Sequence, residues 1–222
     1  ERHEDALLLL RGLFMTSFLV DDFLADNQEF GGRTFVVSSA SSKTAIALAF
    51  LLSQRKAGEV VGLTSARNRA FVERLGCYDR VLLYDEVGSL PTAVPAVFVD
   101  HAGDGKVVAA VHGHYRDQLR HSCVVGATHW SGERSRGSLP GPTPSFFFAP
   151  AQIEKRNAEW GPAAFQQRMV ESWRKFRAFT DPWLEVVRSC GPVEVERAYR
   201  EVLEGRAQPQ QGHVLSLWER TA

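Results

Sequence analysis

The amino-acid sequence predicts an α/β protein: a doubly wound parallel sheet followed by a carboxyl-terminal helical extension. Three observations carry this reading. Short β-branched segments alternate with helical ones between residues 34 and 126, a rhythm that implies crossover connections and parallel strands. Runs such as Val97-Phe98-Val99 are apolar without alternation, as strands covered on both faces are. Beyond Pro150 the segments take helical spacing.

The elements follow in order. Residues 7–26 place Leu10, Leu13, Phe14, Phe18, Leu19 and Phe23 on one helical stripe, and Asp26-Asn27 with Gly31-Gly32 ends the helix. Residues 34–38 form a short buried strand by their β-branched content. After a serine-rich turn, residues 44–54 are apolar and alanine-rich, hence a buried helix. Residues 59–64 are a second strand, 66–75 a helix stopped by Gly76, and 80–84 a third strand centred on Val81, Leu82 and Leu83. Residues 93–100 give a fourth strand, next to a proline break at Pro91 and Pro95. Residues 105–116 carry no clear pattern, and 120–126 give a fifth strand. Residues 129–145, rich in Gly, Pro, Ser and Arg, read as a long loop. Phe146-Phe147-Phe148 gives a sixth strand ended by Pro150. Helices follow over 151–158, 162–179 and 193–204, and residues 212–218 read as a strand with no local partner.

Composition narrows the function classes. The 222 residues include 26 basic and 26 acidic side chains, so a broad affinity for nucleic acid or anionic membrane is disfavoured. With 44% hydrophobic residues the chain has the material for a core. The longest apolar runs, 45–52 and 6–10, fall far short of the about 20 residues a membrane span needs. Cys77, Cys123 and Cys190 are widely spaced without a CxxC, which argues against a disulfide framework or a zinc site and for a reducing, cytoplasmic setting. The chain opens Glu1-Arg2-His3-Glu4 without a signal-peptide pattern, and reads as a fragment of a longer protein or as a mature chain whose first domain is absent.

The informative segment is the turn after the first strand, Val37-Ser38-Ser39-Ala40-Ser41-Ser42-Lys43-Thr44. A strand, a small-residue turn and a helix N-terminus are what a Rossmann-type fold uses to bring backbone amides to a pyrophosphate. Glycines are usual there; here Ser39, Ser42 and Ala45 replace them. Hydroxyl side chains can donate to phosphate, or Ser42 can simply cap a buried helix. The second strand ends without the acidic residue that reads the ribose hydroxyls of NAD. Ser65, Arg67 and Asn68 stand there instead, donors suited to a 2′-phosphate, with Lys43 able to join them. The alternative is a solvated first turn of a helix.

These segments resemble the cofactor domain of the medium-chain dehydrogenase/reductase superfamily, nearest its zinc-free quinone oxidoreductase-like branch. Residues 13–23 (LFMTSFLVDDF) and 38–44 (SSASSKT) resemble more narrowly a bacterial family known as DUF2855. The resemblance runs from about Leu7 to Leu217. It implies NADP(H) as cofactor and a set of contacts. Thr16 would lie near the cofactor. Ser39, Ala40, Ser41, Ser42, Lys43 and Thr44 would form the phosphate turn, and Ser65, Arg67 and Asn68 the 2′-phosphate pocket. Tyr84 would pack on the adenosine side. Asp100, His101, Ala102, Gly126, Ala127 and Thr128 would border the nicotinamide, with Phe147-Phe148-Ala149 doing the same from the sixth strand. It also implies that residues 212–218 return to the absent amino-terminal substrate domain.

The expectation is a dinucleotide-binding domain over 1–150 and a helical extension with a return strand over 151–222. The expected activity is NADP(H)-dependent, metal-free reduction of a carbonyl, enone or quinone by hydride transfer. The partner is a small-molecule substrate, without nucleic acid or membrane, and residues 146–148 offer an edge that can pair in a homodimer. Two other readings stand beside it. An eroded dinucleotide turn can serve a non-catalytic NADPH-binding or scaffold protein. Residues 37–44 also resemble a phosphate-binding loop with Val97-Phe98-Val99-Asp100 as its acidic strand, although that loop needs Gly at Val37 and Ser42. His112, His114, His121 and His129 read as surface or cap histidines, because no carboxylate or cysteine stands at ligand spacing.

Overall fold

The computed structural model describes residues 2–126 and 139–218. Six parallel strands form one sheet: β1 (Thr34–Val37), β2 (Glu59–Thr64), β3 (Arg80–Leu83), β4 (Ala96–Asp100), β5 (Leu119–Val124) and β6 (Ser145–Phe146). Their spatial order is β3-β2-β1-β4-β5-β6. The chain winds outward from β1 in one direction, then returns to β4 and winds outward in the other. The order reverses between β1 and β4, which opens a crevice at their carboxyl ends.

Both faces of the sheet are covered, which explains the unbroken apolar strands. On one side lie α1 (Arg2–Asp26), α2 (Lys43–Gln54), α3 (Ala66–Leu75), α5 (Ala149–Trp160) and α6 (Pro162–Thr180), closed over Phe35, Val37, Val60, Val97 and Val99. On the other lie α4 (Gly105–Tyr115) and a 3-10 helix (Tyr84–Ser89), closed over Val36, Val61, Leu63 and Phe98. The segment without a clear pattern, 105–116, is thus the covering helix α4. Its mixed appearance comes from His112, which is buried rather than at the surface.

The long helix α1 is the spine of the first face. Phe14 stacks on Phe176 of α6 at 5.0 Å and meets Trp173 edge-on at 5.4 Å. Asp22 accepts hydrogen bonds from Arg156 Nε and Gln152 Nε2 of α5, both at 2.6 Å, and Asp26 pairs with Arg156 at 3.0 Å.

The carboxyl-terminal part corrects the sequence reading. It is all-helical only as far as α6. A strand that the sequence did not reveal, β7 (Glu185–Cys190), is followed by α7 (Pro192–Leu203) and β8 (Gln211–Ser216), and β7 pairs with β8 in parallel. The last strand therefore has a local partner. β7 escaped notice because its apolar content is only Val186 and Val187 before an arginine, and its strand is mostly half-exposed. Arg188 of β7 pairs with Asp5, tying this small unit to the start of α1.

Candidate functional site

The crevice between β1 and β4 is pinned by one side chain. Ser38, the first residue past β1, donates from Oγ to Asp100 Oδ1 at 2.6 Å. The same oxygen accepts from the amides of His101 (2.8 Å) and Ala102 (3.0 Å). Asp100 also accepts from the Ala102 amide at 3.0 Å and the Gly103 amide at 3.3 Å. With 2% exposure, burial raises the Asp100 carboxyl above its usual range, while Ser38 and the two amides oppose the rise.

The turn itself is closed by its own bonds. Ser39 takes a left-handed φ of 52° with a side chain, a strained conformation, and Tyr84 hydrogen-bonds it. The Ala40 amide donates to Leu63 O at 2.9 Å, and its carbonyl accepts from Tyr78 Oη at 2.9 Å. Asn68 Nδ2 donates to Ser41 Oγ at 2.9 Å, joining the turn to α3. Ser42 caps α2 by accepting from the Ala45 amide at 3.3 Å. The amides of Lys43 and Thr44 find no acceptor among the described residues, so the α2 N-terminus keeps donors for an anion.

The close approach that a turn glycine normally permits has moved to the neighbouring strand. A Cβ at Gly62 would stand 2.9 Å from the Ala40 Cβ and 2.8 Å from the Tyr78 ring. The side chain at Ala40 fits because β2 has none at Gly62.

At the end of β2, the Thr64 hydroxyl is buried and, among the described residues, has no hydrogen-bond partner. Ser65 begins α3 without a side-chain cap bond. Arg67 donates through Nη1 to Gly205 O (2.5 Å) and through Nη2 to Arg206 O (2.7 Å) and Ala207 O (3.3 Å). Lys43 Nζ donates to Gln211 O (2.6 Å) and Pro209 O (3.2 Å), and burial lowers its pKa to about 8. Both cations therefore hold one segment, the link from α7 to β8, across the N-terminal ends of α2 and α3. Among the described residues, neither has a carboxylate partner.

The other expected residues fall as follows. Thr16, among the described residues, bonds only its own helix, to Gly12 O at 3.2 Å, whereas the fully buried Ser17 beside it donates to Thr44 O at 2.7 Å and links α1 to α2. His101, 2% exposed, keeps a buried Nε2 without a partner, and burial lowers its pKa to about 4. Gly126 follows β5, its amide bonded to Asp100 O at 3.3 Å. Ala127, Thr128 and His129 lie outside the described residues. The crevice thus gathers Ser39 to Thr44, Ser65, Asn68, Tyr84, Asp100 to Ala102 and Gly126. Ser38, Thr64 and Tyr78, which the sequence reading did not single out, stand with them. Their position at or near strand ends was the available signal. Among the described residues, no group of three His, Cys, Asp or Glu is placed to hold a metal ion, and no helix is long and apolar enough to cross a membrane.

Solved structures share this fold. CurA from Vibrio vulnificus, in complex with NADPH, has 15% identity and a TM-score of 0.62 over 99% of this chain and 66% of that one. YhdH from E. coli K-12, with bound NADPH, has 17% identity and a TM-score of 0.54 over 96% and 63%. The yhdH oxidoreductase from Salmonella enterica, in complex with NADP, has 17% identity and a TM-score of 0.53 over 93% and 60%. The chain spans less than two thirds of the length of each. No curated protein matches the sequence. Residues 1–208 match the model of DUF2855, described as a protein of unknown function, and the chain belongs to that family.

Proposed function

We propose that this chain is the NADP(H)-binding part of an oxidoreductase related to the medium-chain dehydrogenase/reductases, one that reduces a carbonyl, enone or quinone without a metal. The carrying observation is the positive, unpaired end of the crevice. Lys43 and Arg67 stand at the starts of α2 and α3 with carbonyls as their described partners, and the open amides of α2 add to the same field. An acidic residue to read free ribose hydroxyls is absent from the end of β2.

The residues fit the cofactor at both halves of the sheet. Among the described residues, Thr64 Oγ1 and His101 Nε2 are buried at the ends of β2 and β4 without a hydrogen-bond partner. The pyrophosphate would rest on the amides of Lys43 and Thr44. Ser65, Arg67 and Asn68 would meet the 2′-phosphate. The bound nicotinamide supplies a hydride donor at C4. Ser38 and Asp100 keep the crevice edges in register, so the chain's part in the chemistry is orientation. Residues 1–150 would form the dinucleotide unit and 151–222 the extension. Edge strand β6, with the exposed Phe146 in it and the exposed Phe148 just past it, would be the surface for a homodimer.

The phosphate-loop alternative fits less well, because the Lys43 ammonium reaches away to Pro209 and Gln211 rather than over the turn.

Calorimetry with NADPH and NADH tests the proposal. NADPH is expected to bind more tightly, and Arg67→Ala to weaken NADPH by roughly 1–3 kcal/mol while leaving NADH nearly unchanged. A folded protein that binds neither nucleotide refutes the reading. Turnover of a quinone or enone by the NADPH-loaded protein favours the oxidoreductase over the non-catalytic alternative.

A further inference from the structure

We propose that the groove between α1 and α6 binds a small amphiphile with one anionic head, in its simplest form a single-chain alkyl carboxylate. The groove shares no residue with the crevice, so the inference stands apart from the cofactor reading.

Helical spacing builds the groove. Leu7, Arg11 and Phe14 follow at one-turn intervals on one stripe of α1. Met169, Val170, Trp173, Arg174 and Arg177 form the facing stripe of α6. Between them lies a cavity of about 330 Å³, at the small end of the range for small-molecule sites.

The floor is apolar and formed in advance. Phe14, Met169 and Trp173 are buried, with Leu7 and Val170 half-buried above them. Trp173 meets Phe14 edge-on at 5.4 Å, and Phe176 stacks on Phe14 at 5.0 Å, which fixes the rings from the core side. Met169 adds an unbranched side chain that adapts to an alkyl chain.

The rim is cationic. Among the described residues three arginines line the groove and no Asp or Glu does. Arg177 is engaged within the fold, its Nη1 donating to Asp181 Oδ1 at 2.6 Å and to Thr180 Oγ1 at 3.2 Å. Arg11 and Arg174 are exposed, and among the described residues neither has a hydrogen-bond or ion-pair partner. Exposed arginines alone would say little, because their stems commonly lie over apolar surface with the head in water. Here two of them flank a ready-made apolar cavity, and a guanidinium fork matches a carboxylate in bidentate geometry. A neutral apolar ligand would fill the floor and leave both forks unused. A polyanion would use the forks and leave the floor empty. An anionic head on an alkyl chain uses both.

The test is calorimetry and tryptophan fluorescence on the whole chain with decanoate and with decanol, each kept below the concentration at which it aggregates. Decanoate is expected to bind roughly 10-fold more tightly than decanol, the contribution of a charge-assisted contact. Its fluorescence signal should be lost in Trp173→Phe. Arg11→Ala combined with Arg174→Ala should remove most of the difference between the two ligands and leave NADPH binding unchanged. Both arginines are exposed, so the fold does not depend on them. Decanoate that binds no more tightly than decanol, or whose affinity survives the double variant, overturns the proposal. A folded chain that binds no decanoate overturns it too, and self-association lost in the double variant, read by sedimentation, would then make the groove a contact between copies. The comparison of the two ligands on the wild-type chain decides the matter even where a variant does not fold.

Discussion

Replacing Ser38 by Ala should loosen the joint between β1 and β4, and by an amount that depends on pH. The hydroxyl donates to the Asp100 carboxylate and accepts from two amides, all in a buried site. Losing one bond to a charged group costs about 1.5–3 kcal/mol, and the His101 amide is left unpaired for about another 1 kcal/mol. The Ala102 amide keeps Asp100 as acceptor at 3.0 Å, so it adds little. The sum is about 2.5–4 kcal/mol near neutral pH, or a fall in Tm of roughly 5–16 °C for a chain of this size. Asp100 gives the pH signature. Its folded pKa lies above the ordinary aspartate value, so the folded state binds the proton more readily than the unfolded one. That contribution to stability is complete below the unfolded pKa and lost as pH rises through the folded one. Ser38 opposes the upward shift, so Ser38→Ala moves the folded pKa higher still and widens the deficit from acid to neutral pH. Urea unfolding at about pH 4 and about pH 7 reads both quantities, and the deficit should shrink to about 1–2 kcal/mol at the lower pH. A deficit equal at the two pH values would refute the charge-assisted bond, and one below about 1 kcal/mol at neutral pH would refute the joint itself.

Three further outcomes follow from the same geometry. Gly62→Ala should cost roughly 1–3 kcal/mol in thermal unfolding, since its Cβ would press on Ala40 and the Tyr78 ring, and adding Ala40→Gly should recover part of the loss; no recovery sinks the idea that the two positions share one space. Lys43→Met should flatten the alkaline stability profile: the folded Lys43 pKa of about 8 lies below its ordinary value of 10.5, so wild-type stability rises with pH across that window, and a variant with the same rise shows that Lys43 is not its source. Asp22→Ala should lose about 2–3 kcal/mol in chemical denaturation, less than the full cost of stranding a buried charge, because Arg156 retains Asp26 and Glu159; a loss under about 0.5 kcal/mol means that the pair is solvated.

The fold was legible where local chemistry sufficed. Residues 59–64 and 66–75 read correctly at both ends because β-branched content, a Ser N-cap and Gly76 in a left-handed conformation (φ 69°) all mark boundaries locally. β7 was not legible, since its stability comes from pairing with β8, more than twenty residues on, and not from a buried apolar run. The crevice was half legible. Small residues after β1 announced a turn, but the reason that Ala40 can carry a side chain is Gly62, in another strand. Lys43 and Arg67 were legible as cations at helix starts. Their partners were not, because Gly205 to Gln211 lie more than 130 residues away in sequence. His112 was misread because histidines in a mixed segment look like surface residues until Ser122 and Pro140 arrive from other elements.

The loss of glycines from the turn and the placement of the cations bear on one question, namely how an anion would be held. A glycine-rich turn offers several amides to a pyrophosphate at close range. Here the Ala40 and Ser42 amides already donate to Leu63 O and Ser39 O, so the turn has fewer donors to offer. What remains is the end of α2, roughly half an elementary charge, with a lysine and an arginine beside it. Carbonyls hold those two side chains in place without neutralising them, since a carbonyl brings a dipole and no net charge. Keeping a largely buried ammonium in such surroundings is unfavourable, as the lowered Lys43 pKa records. An anion bound between α2 and α3 would reverse that term, raising the Lys43 pKa back toward its ordinary value and taking up protons as it binds near pH 8. Binding of NADPH measured in two buffers of different ionisation enthalpy reads that uptake directly. Proton uptake that disappears in Lys43→Met places the phosphate charge beside Lys43, and binding with no proton uptake places it elsewhere.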